Sequence, residues 1–517
     1  MRAVQTRRAI ASAAVALLLA PPSRGQSREQ VDRYRRGAEA EIVRELAGFV
    51  AIPNLASDGP NIERNAQHLL GMLRRRGIEA RLLETPGAPP AVYGDLPSPG
   101  ARRTVVLYAH YDGQPVDPAQ WKTPPWTPVL RDKPLEQGGH EIPLPGSGQG
   151  VPEEARLYGR SASDDKAPIV AMLSALDALR AAGAHASVHL KFYFEGEEEA
   201  DSAHLRESLE RHRDLLQADA WIFCDGPVHQ SRRMQVVHGA RGVIPLELTV
   251  YGPVRALHDG HYGYWAPNPA ALLTSLLSSM RDPDGRVAIA GFYDGVRPIG
   301  DLDRKAIAEI PDVDAELRRS LGLAHTEAGD APLPERILLP ALNVRGLLAG
   351  KVGAQAANAI PTEARASIDL RLVPDQKPDA VRDAVERHLA GQGYFVMREE
   401  PDMAARLAHA RIVRVEWKAG YPGVRAPMDQ PFARAVGSVI AGAVGPIVRL
   451  PILGGSVPLS TLQDTLGKPV VIVPIVNHDN NQHAANENLR LRNLWDGMVV
   501  FSALFTGLGA AWQQSPP

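Results

Sequence analysis

Two periods of apolar residues alternate along this chain. Runs rich in β-branched and aromatic residues at 105–109, 188–194 and 220–223 predict buried strands, and the apolar spacing over 167–182 predicts a helix. Each of these strands runs straight into polar residues capable of chemistry. The repeat of strand, reactive group and helix predicts a largely parallel α/β sheet whose functional groups collect where strands end. The pattern changes near Arg241. GVIPLELTVYG alternates like a half-exposed strand, RASIDLRLV and ARIVRVEWKA read as further strands, and helices are predicted near 269–280 and over 378–389. Strands with two helices on one side predict a small α+β sandwich. After Asp429 a helix, a Gly454-Gly455 turn, a buried-type strand at 469–476 and a helix from Leu494 restore the α/β pattern. The expected organisation is therefore a discontinuous domain over 27–240 and 426–517, interrupted by a smaller one over 241–425. The Gly/Pro-rich stretches 131–155 and 286–340 read as long surface loops.

A chain of 517 residues exceeds what one core usually organises, which agrees with two domains. Lys and Arg number 57 against 59 acidic residues, a net charge of -2, so no broad field attracts nucleic acid or an anionic membrane. A small solute is the expected partner. Arg2, Arg7 and Arg8 precede an apolar Ala9 to Ala20 segment that closes in small and turn-forming residues, which predicts a signal peptide over 1–26 and an exported, periplasmic or secreted protein. The Arg7-Arg8 pair leaves the general and twin-arginine routes both open. No later segment reads as long and uncharged enough to cross a bilayer, so no membrane span is expected. With Cys224 as the one cysteine, no intrachain disulfide forms, and its apolar surroundings mark it as a packing residue.

Five stretches that follow apolar runs carry metal-type ligands: His110 to Asp112, Ser163 to Lys166, Glu195 to Glu199, Cys224-Asp225 and Gln482 to Glu487. Taken singly they are weak signals. A glutamate run is ordinarily a solvated acidic turn, and a histidine at a strand end is ordinarily a buried core residue. The ordered set points to a two-metal hydrolytic site.

HYDGQP, GRSASDDKAP, FEGEEEADS, LHDG, NAIP, RLVP, GGSVP and HAANE together resemble the zinc-dependent metallopeptidase family of dipeptidases, carboxypeptidase G, aminoacylase and succinyl-diaminopimelate desuccinylase, above all its carnosinase-like branch. The resemblance implies a di-zinc aminopeptidase-like catalytic domain with a mostly parallel sheet and an inserted α+β sandwich as lid and dimerisation domain. It implies that Asp164 bridges two metals, with His110 and Asp225 completing one and Glu199 and His483 the other; the ions are zinc, with manganese or cobalt as alternatives. Glu198 takes the place of the general base that activates a metal-bridging water. Asp112 takes that of an acceptor for the second N–H of His110, and the Asp164–Asp165 peptide is expected to be cis. In the lid, His258, with His261 as its rival, corresponds to a histidine supplied in trans by the partner of a homodimer to stabilise an oxyanion. Arg371, Ser456 and Asn358 correspond to groups that bind the substrate carboxylate. His478 rivals His483 but lacks the Asn-Glu pair that follows.

Ser161 and Ala167 replace glycines around the double aspartate, Ala484 replaces a serine, and Asp201 and Asp259 replace a glycine and a serine, adding negative charge that favours a cationic substrate group. The implied activity is hydrolysis of dipeptides, or removal of the C-terminal residue of short peptides. Deacylation of N-acyl amino acids is the alternative reaction, and a non-catalytic peptide-binding protein the alternative outside enzymes.

Overall fold

The computed structural model describes residues 24–327 and 329–514. Residues 1–23, which carry nearly all of the segment read as a signal peptide, lie outside the described residues; a helix, Arg24–Val50, begins directly after them. The largest sheet has eight strands, ordered from one edge Glu79–Leu83, Ala91–Leu96, His189–Glu195, Thr104–His110, Ala220–Phe223, Val470–Ile472, Gln235–Val237 and Val448–Leu450. Its four central strands run parallel. Glu79–Leu83 and Ala91–Leu96 pair antiparallel, and so do Val470–Ile472 and Gln235–Val237, so the sheet is mixed where a largely parallel one was expected. The physical reason at the first edge is the short connection, residues 84–90, which leaves no room for a crossover helix.

The central strands are apolar on both faces because both faces are covered. Val105, Leu107, Phe192 and Ile222 enter a core shared with helices Arg24–Val50, Lys166–Ala181, Pro431–Val444 and Leu491–Gln514. Their neighbours Val106, Tyr108, Tyr193 and Trp221 enter a second core against helices Leu205–Arg211 and Leu459–Leu466. Cys224 is buried in the first core. Among the described residues Leu491–Gln513 is, contrary to expectation, long and apolar enough, by length and composition, to cross a membrane. Its apolarity has a packing cause, since 72% of its most apolar window is buried inside the protein. A helix enclosed by three others must be apolar nearly all round.

A second sheet of five strands is ordered Ala341–Leu348, Glu363–Leu372, Gly242–Tyr251, Ile412–Trp417 and Phe395–Met397. Ile244, Leu246, Ile368 and Leu370 from this sheet pack with Leu273 and Leu276 of helix Pro269–Ser279 and Val385 and Leu389 of helix Pro378–Gly391. Gly239–Ala240 pairs with Val424–Arg425 where the chain enters and leaves this unit.

The two stretches expected as long loops carry regular structure. Helices Asp301–Glu309, Asp314–Ser320 and Leu333–Arg336 occupy much of 286–340, each too short for a helical period to show between prolines and glycines. In the other stretch, Val129–Arg131 and Glu141–Ile142 join Arg156–Tyr158 and Asn488–Arg490 in a four-stranded sheet. Strands of two or three residues fall below the length at which alternation is legible, and these are held by a partner from the far end of the chain.

Candidate active site

The parallel register explains why distant residues converge. His110 pairs with Glu195 and Tyr108 with Phe223, so three neighbouring strands release the chain side by side. Just beyond these ends come Asp112, then Glu198 and Glu199, then Asp225. Asp164 and His483 arrive by another route. Asn488 pairs with Tyr158, and the Gly159 N–H donates to the Glu487 carbonyl at 3.0 Å, which lays the 159–165 loop beside 482–487.

Asp164 sits at the centre and is 3% exposed. Its Oδ1 lies 3.0 Å from His110 Nε2, and its Oδ2 lies 3.1 Å from His483 Nε2 while accepting from Gln482 Nε2 at 2.7 Å. Glu199 Oε2 is 3.3 Å from His483 Nε2 and accepts from Gln114 Nε2 at 2.7 Å. Two triads result, His110, Asp164 and Asp225, and Asp164, Glu199 and His483, each with ligand atoms within 4.8 Å of one another. Asp112 Oδ1 is 3.3 Å from His110 Nδ1, and its two oxygens accept from the Glu198 and Glu199 N–H groups at 3.0 Å each. One carboxylate therefore steadies both the imidazole and the backbone that carries the two glutamates. The Asp164–Asp165 peptide is cis, as expected. His478 joins neither triad.

Electrostatics states what this cage needs. Burial and neighbouring carboxylates push Glu199 up to about 8, Asp225 up to about 6 and Glu198 well above the carboxylate range. Burial opposes charge on the histidines too, yet Asp164 pushes His483 up to about 9 and, with Asp112, raises His110 well above its ordinary value. The buried Asp225 Oδ1 has no hydrogen-bond partner although it faces His110 and Asp164. A pocket of oxygen and imidazole ligands with an orphaned carboxylate oxygen and repelling neighbours fits a divalent cation in each triad, whose charge would reverse these shifts. Metal-free protein is accordingly expected to be less stable than protein in excess divalent cation, by about 4 kcal/mol for each ion bound at a thousandfold excess over its Kd. Chemical denaturation with and without chelator reads this, and identical midpoints would refute it.

The triads open on a cleft of about 620 Å³ that also holds Glu198, Asp201, Tyr421, Arg371 and Ser456. Arg371 donates from Nε to Asp369 at 2.5 Å and from Nη1 to Ser456 Oγ at 2.7 Å, while Ser456 Oγ donates to the Gly242 carbonyl at 3.2 Å. The serine hydroxyl thus braces the guanidinium. His258 and Asn358 lie together elsewhere: Leu257–His258 pairs with Ala359–Ile360, and the Asp259 N–H donates to the Asn358 carbonyl at 3.1 Å. Neither residue lines the cleft of its own chain, and the His258 side chain is 55% exposed, with the His261 ring 4.5 Å away. Of the two extra acids, Asp201 lines the cleft and Asp259 stands with His258 outside it.

With this geometry in hand, comparison with known proteins is decisive: the chain matches the sequence profile of peptidase family M20/M25/M40 over residues 106–506. The chain belongs to this family. This M20 chain is 27% identical to the Cys-Gly metallodipeptidase DUG1 of Candida albicans over 496 residues, covering 91% of the chain and 95% of that relative. It is 26% identical to the Beta-Ala-His dipeptidase of Homo sapiens over 428 residues, covering 81% and 77%. Among solved structures, the M20 family metallo-carboxypeptidase Sso-CP2 from Sulfolobus solfataricus aligns with a TM-score of 0.74 at 26% identity, covering 91% of this chain and 99% of its own. The di-peptidase Dug1p of Saccharomyces cerevisiae shares the fold, with a TM-score of 0.76 at 23% identity over 96% of this chain and 99% of its own.

Three residues that surround the two triads escaped the sequence reading. Gln114 and Gln482 sit inside motifs quoted for their neighbours, and their amide type carried no ligand signal. Glu487 is fully buried and accepts from the N–H groups of Ser161, Ser163 and Asp164 at 2.9, 3.0 and 2.9 Å, and from Ser163 Oγ and Arg160 Nη1 at 2.9 Å each. It holds the loop that presents Asp164.

Proposed function

We propose that this M20 chain is a di-metal exopeptidase that hydrolyses dipeptides, or removes the C-terminal residue of short peptides, at the amide next to a free carboxylate. One observation carries the reading: two ligand triads sharing Asp164 open onto the same cleft as Glu198 and the braced Arg371. The relatives named as dipeptidases and a metallo-carboxypeptidase support the substrate class. We take His110, Asp164 and Asp225 to hold one ion and Asp164, Glu199 and His483 the other, with zinc as the metal. Bound there, the pair supplies an acidified water and a polarised scissile carbonyl.

The chain's own groups do the rest. Glu198 takes the proton of the attacking water and delivers it to the leaving amine. Asp112 keeps His110 Nε2 aimed at Asp164 by holding Nδ1. Arg371, fixed by Asp369 and Ser456, turns its remaining N–H groups to the substrate carboxylate and so sets the distance from chain end to scissile bond. His258 and Asn358 serve the cleft of a partner subunit, a reading supported by their exposure outside their own cleft. Support for a homodimer through the lid comes from the edge strand Ala341–Leu348, where Val344, Leu347 and Leu348 are exposed, since an apolar unpaired edge is a template for another copy. In this reading 27–240 and 426–517 form the catalytic body, 241–425 forms the lid, and 1–26 directs export.

A panel of dipeptides, longer peptides and N-acyl amino acids, assayed with and without chelator, tests the reading. Chelator-sensitive turnover of dipeptides or C-terminal residues is expected. Turnover of N-acyl amino acids alone makes the chain a deacylase, and protein that binds no metal and turns over nothing makes it a binding protein. Arg371→Gln is expected to lower kcat/KM for substrates with a free carboxylate about 100-fold, mainly through KM, as loss of a charge-assisted pair requires. Equal loss on C-terminally amidated peptides would show that Arg371 does not read the chain end.

A further inference from the structure

Beside the catalytic cleft lies a second cavity of about 740 Å³, a volume within the range of small-molecule sites. Helices Asp301–Glu309 and Leu333–Arg336 of the 286–340 stretch form one wall, and residues 227–230 with Leu450 to Gly454 form the other. Pro227 and Leu453 line both spaces, so the loop that follows Asp225 and the turn that precedes Ser456 separate them. The cavity is apolar over Ile307, Ile337, Leu450 and Leu453, and Arg241 stands in its wall.

Arg241 is the unusual feature. Its Nε donates to the Gly454 carbonyl at 2.7 Å, and no carboxylate lies within ion-pair distance of it among the described residues. Burial, with the charge of Arg371 nearby, pushes it down to about 10, which an anion at its free N–H groups would relieve. The acids of the cavity stand elsewhere. Asp312 and Asp330 are exposed at the mouth, and Asp314 accepts from the Leu333 N–H at 3.1 Å, holding the insertion's own turn.

We propose that this cavity is a second ligand site, taking a small amphipathic carboxylate whose apolar body lies against Ile307, Ile337 and Leu453 and whose anionic group pairs with Arg241. The site stands independently of the reaction proposed above. A half-buried guanidinium with donors to spare binds carboxylate strongly, and the surrounding aliphatic wall selects a ligand with an apolar tail over a bare ion.

Isothermal titration calorimetry with octanoate, and with octanamide as its uncharged counterpart, tests this on the full-length protein. Octanoate is expected to bind saturably, octanamide more weakly, and Arg241→Gln to weaken octanoate about tenfold or more. Ala308→Trp, on an exposed helix face that lines the cavity, fills the space without touching Arg241 and is expected to block binding as well, which keeps the test open should Arg241→Gln misfold. The proposal is overturned if octanoate does not saturate the wild type, if octanamide binds as tightly, or if either cavity variant binds octanoate undiminished.

Discussion

Glu198→Gln is expected to keep both metal ions and lose about a thousandfold or more of kcat on a dipeptide substrate. The substitution changes two atoms' chemistry and almost nothing else. Glu198 is held by its backbone N–H, which donates to Asp112 Oδ1, so an amide side chain inherits the same position. Glu199, whose carboxylate faces His483, stays in place because its own N–H donates to the other oxygen of Asp112. What disappears is the ability to accept a proton, which a carboxamide lacks. Elemental analysis near two ions per chain together with collapsed turnover is the expected pair of results. Activity within tenfold of the wild type, or loss of metal alongside activity, would assign Glu198 some other role.

Glu487→Ala is expected to cost about 3 to 5 kcal/mol of stability, a large share of what any domain possesses. Five donors converge on this one side chain, and one of them is the guanidinium of Arg160, itself 2% exposed. Alanine would leave that charge buried beside Trp121 without its carboxylate, keeping only the Ala484 carbonyl at 3.2 Å, and would leave three backbone N–H groups with no acceptor. The loop carrying Asp164 would lose its anchor, so metal content should fall together with the denaturation midpoint. Glu487→Gln tests the charge separately, since it preserves shape while turning an NH₂ group toward donors. A variant as stable as the wild type would show that the loop is held by other contacts.

The contrast between Glu198 and Glu487 shows where the chemistry was legible from residues alone. His110, Glu198, Glu199 and Asp225 end or follow strands whose apolar runs are plain in the sequence, and parallel strands in register must release their chains at one edge. Asp164 and His483 were legible through the motifs around them, but the pairing that joins them was not, because Arg156–Tyr158 and Asn488–Arg490 are three residues each and meet only in the folded chain. Glu487 was hidden for the same reason: its partners are backbone N–H groups, which leave no trace in residue type. The helix from Leu494 was legible and its full apolar length was not, while the short helices of 286–340 are too brief to show any period.

Synthesis reaches Asp164 long before it reaches His483 and Glu487. The small sheet that joins the two loops cannot close on a ribosome-bound chain whose 482–490 stretch is still unmade, so a nascent polypeptide displays the Asp164 carboxylate with neither the His483 imidazole nor the anchor of its loop. Assembly of the cluster thereby waits until residues 482–490 have been made and can pair with 156–158.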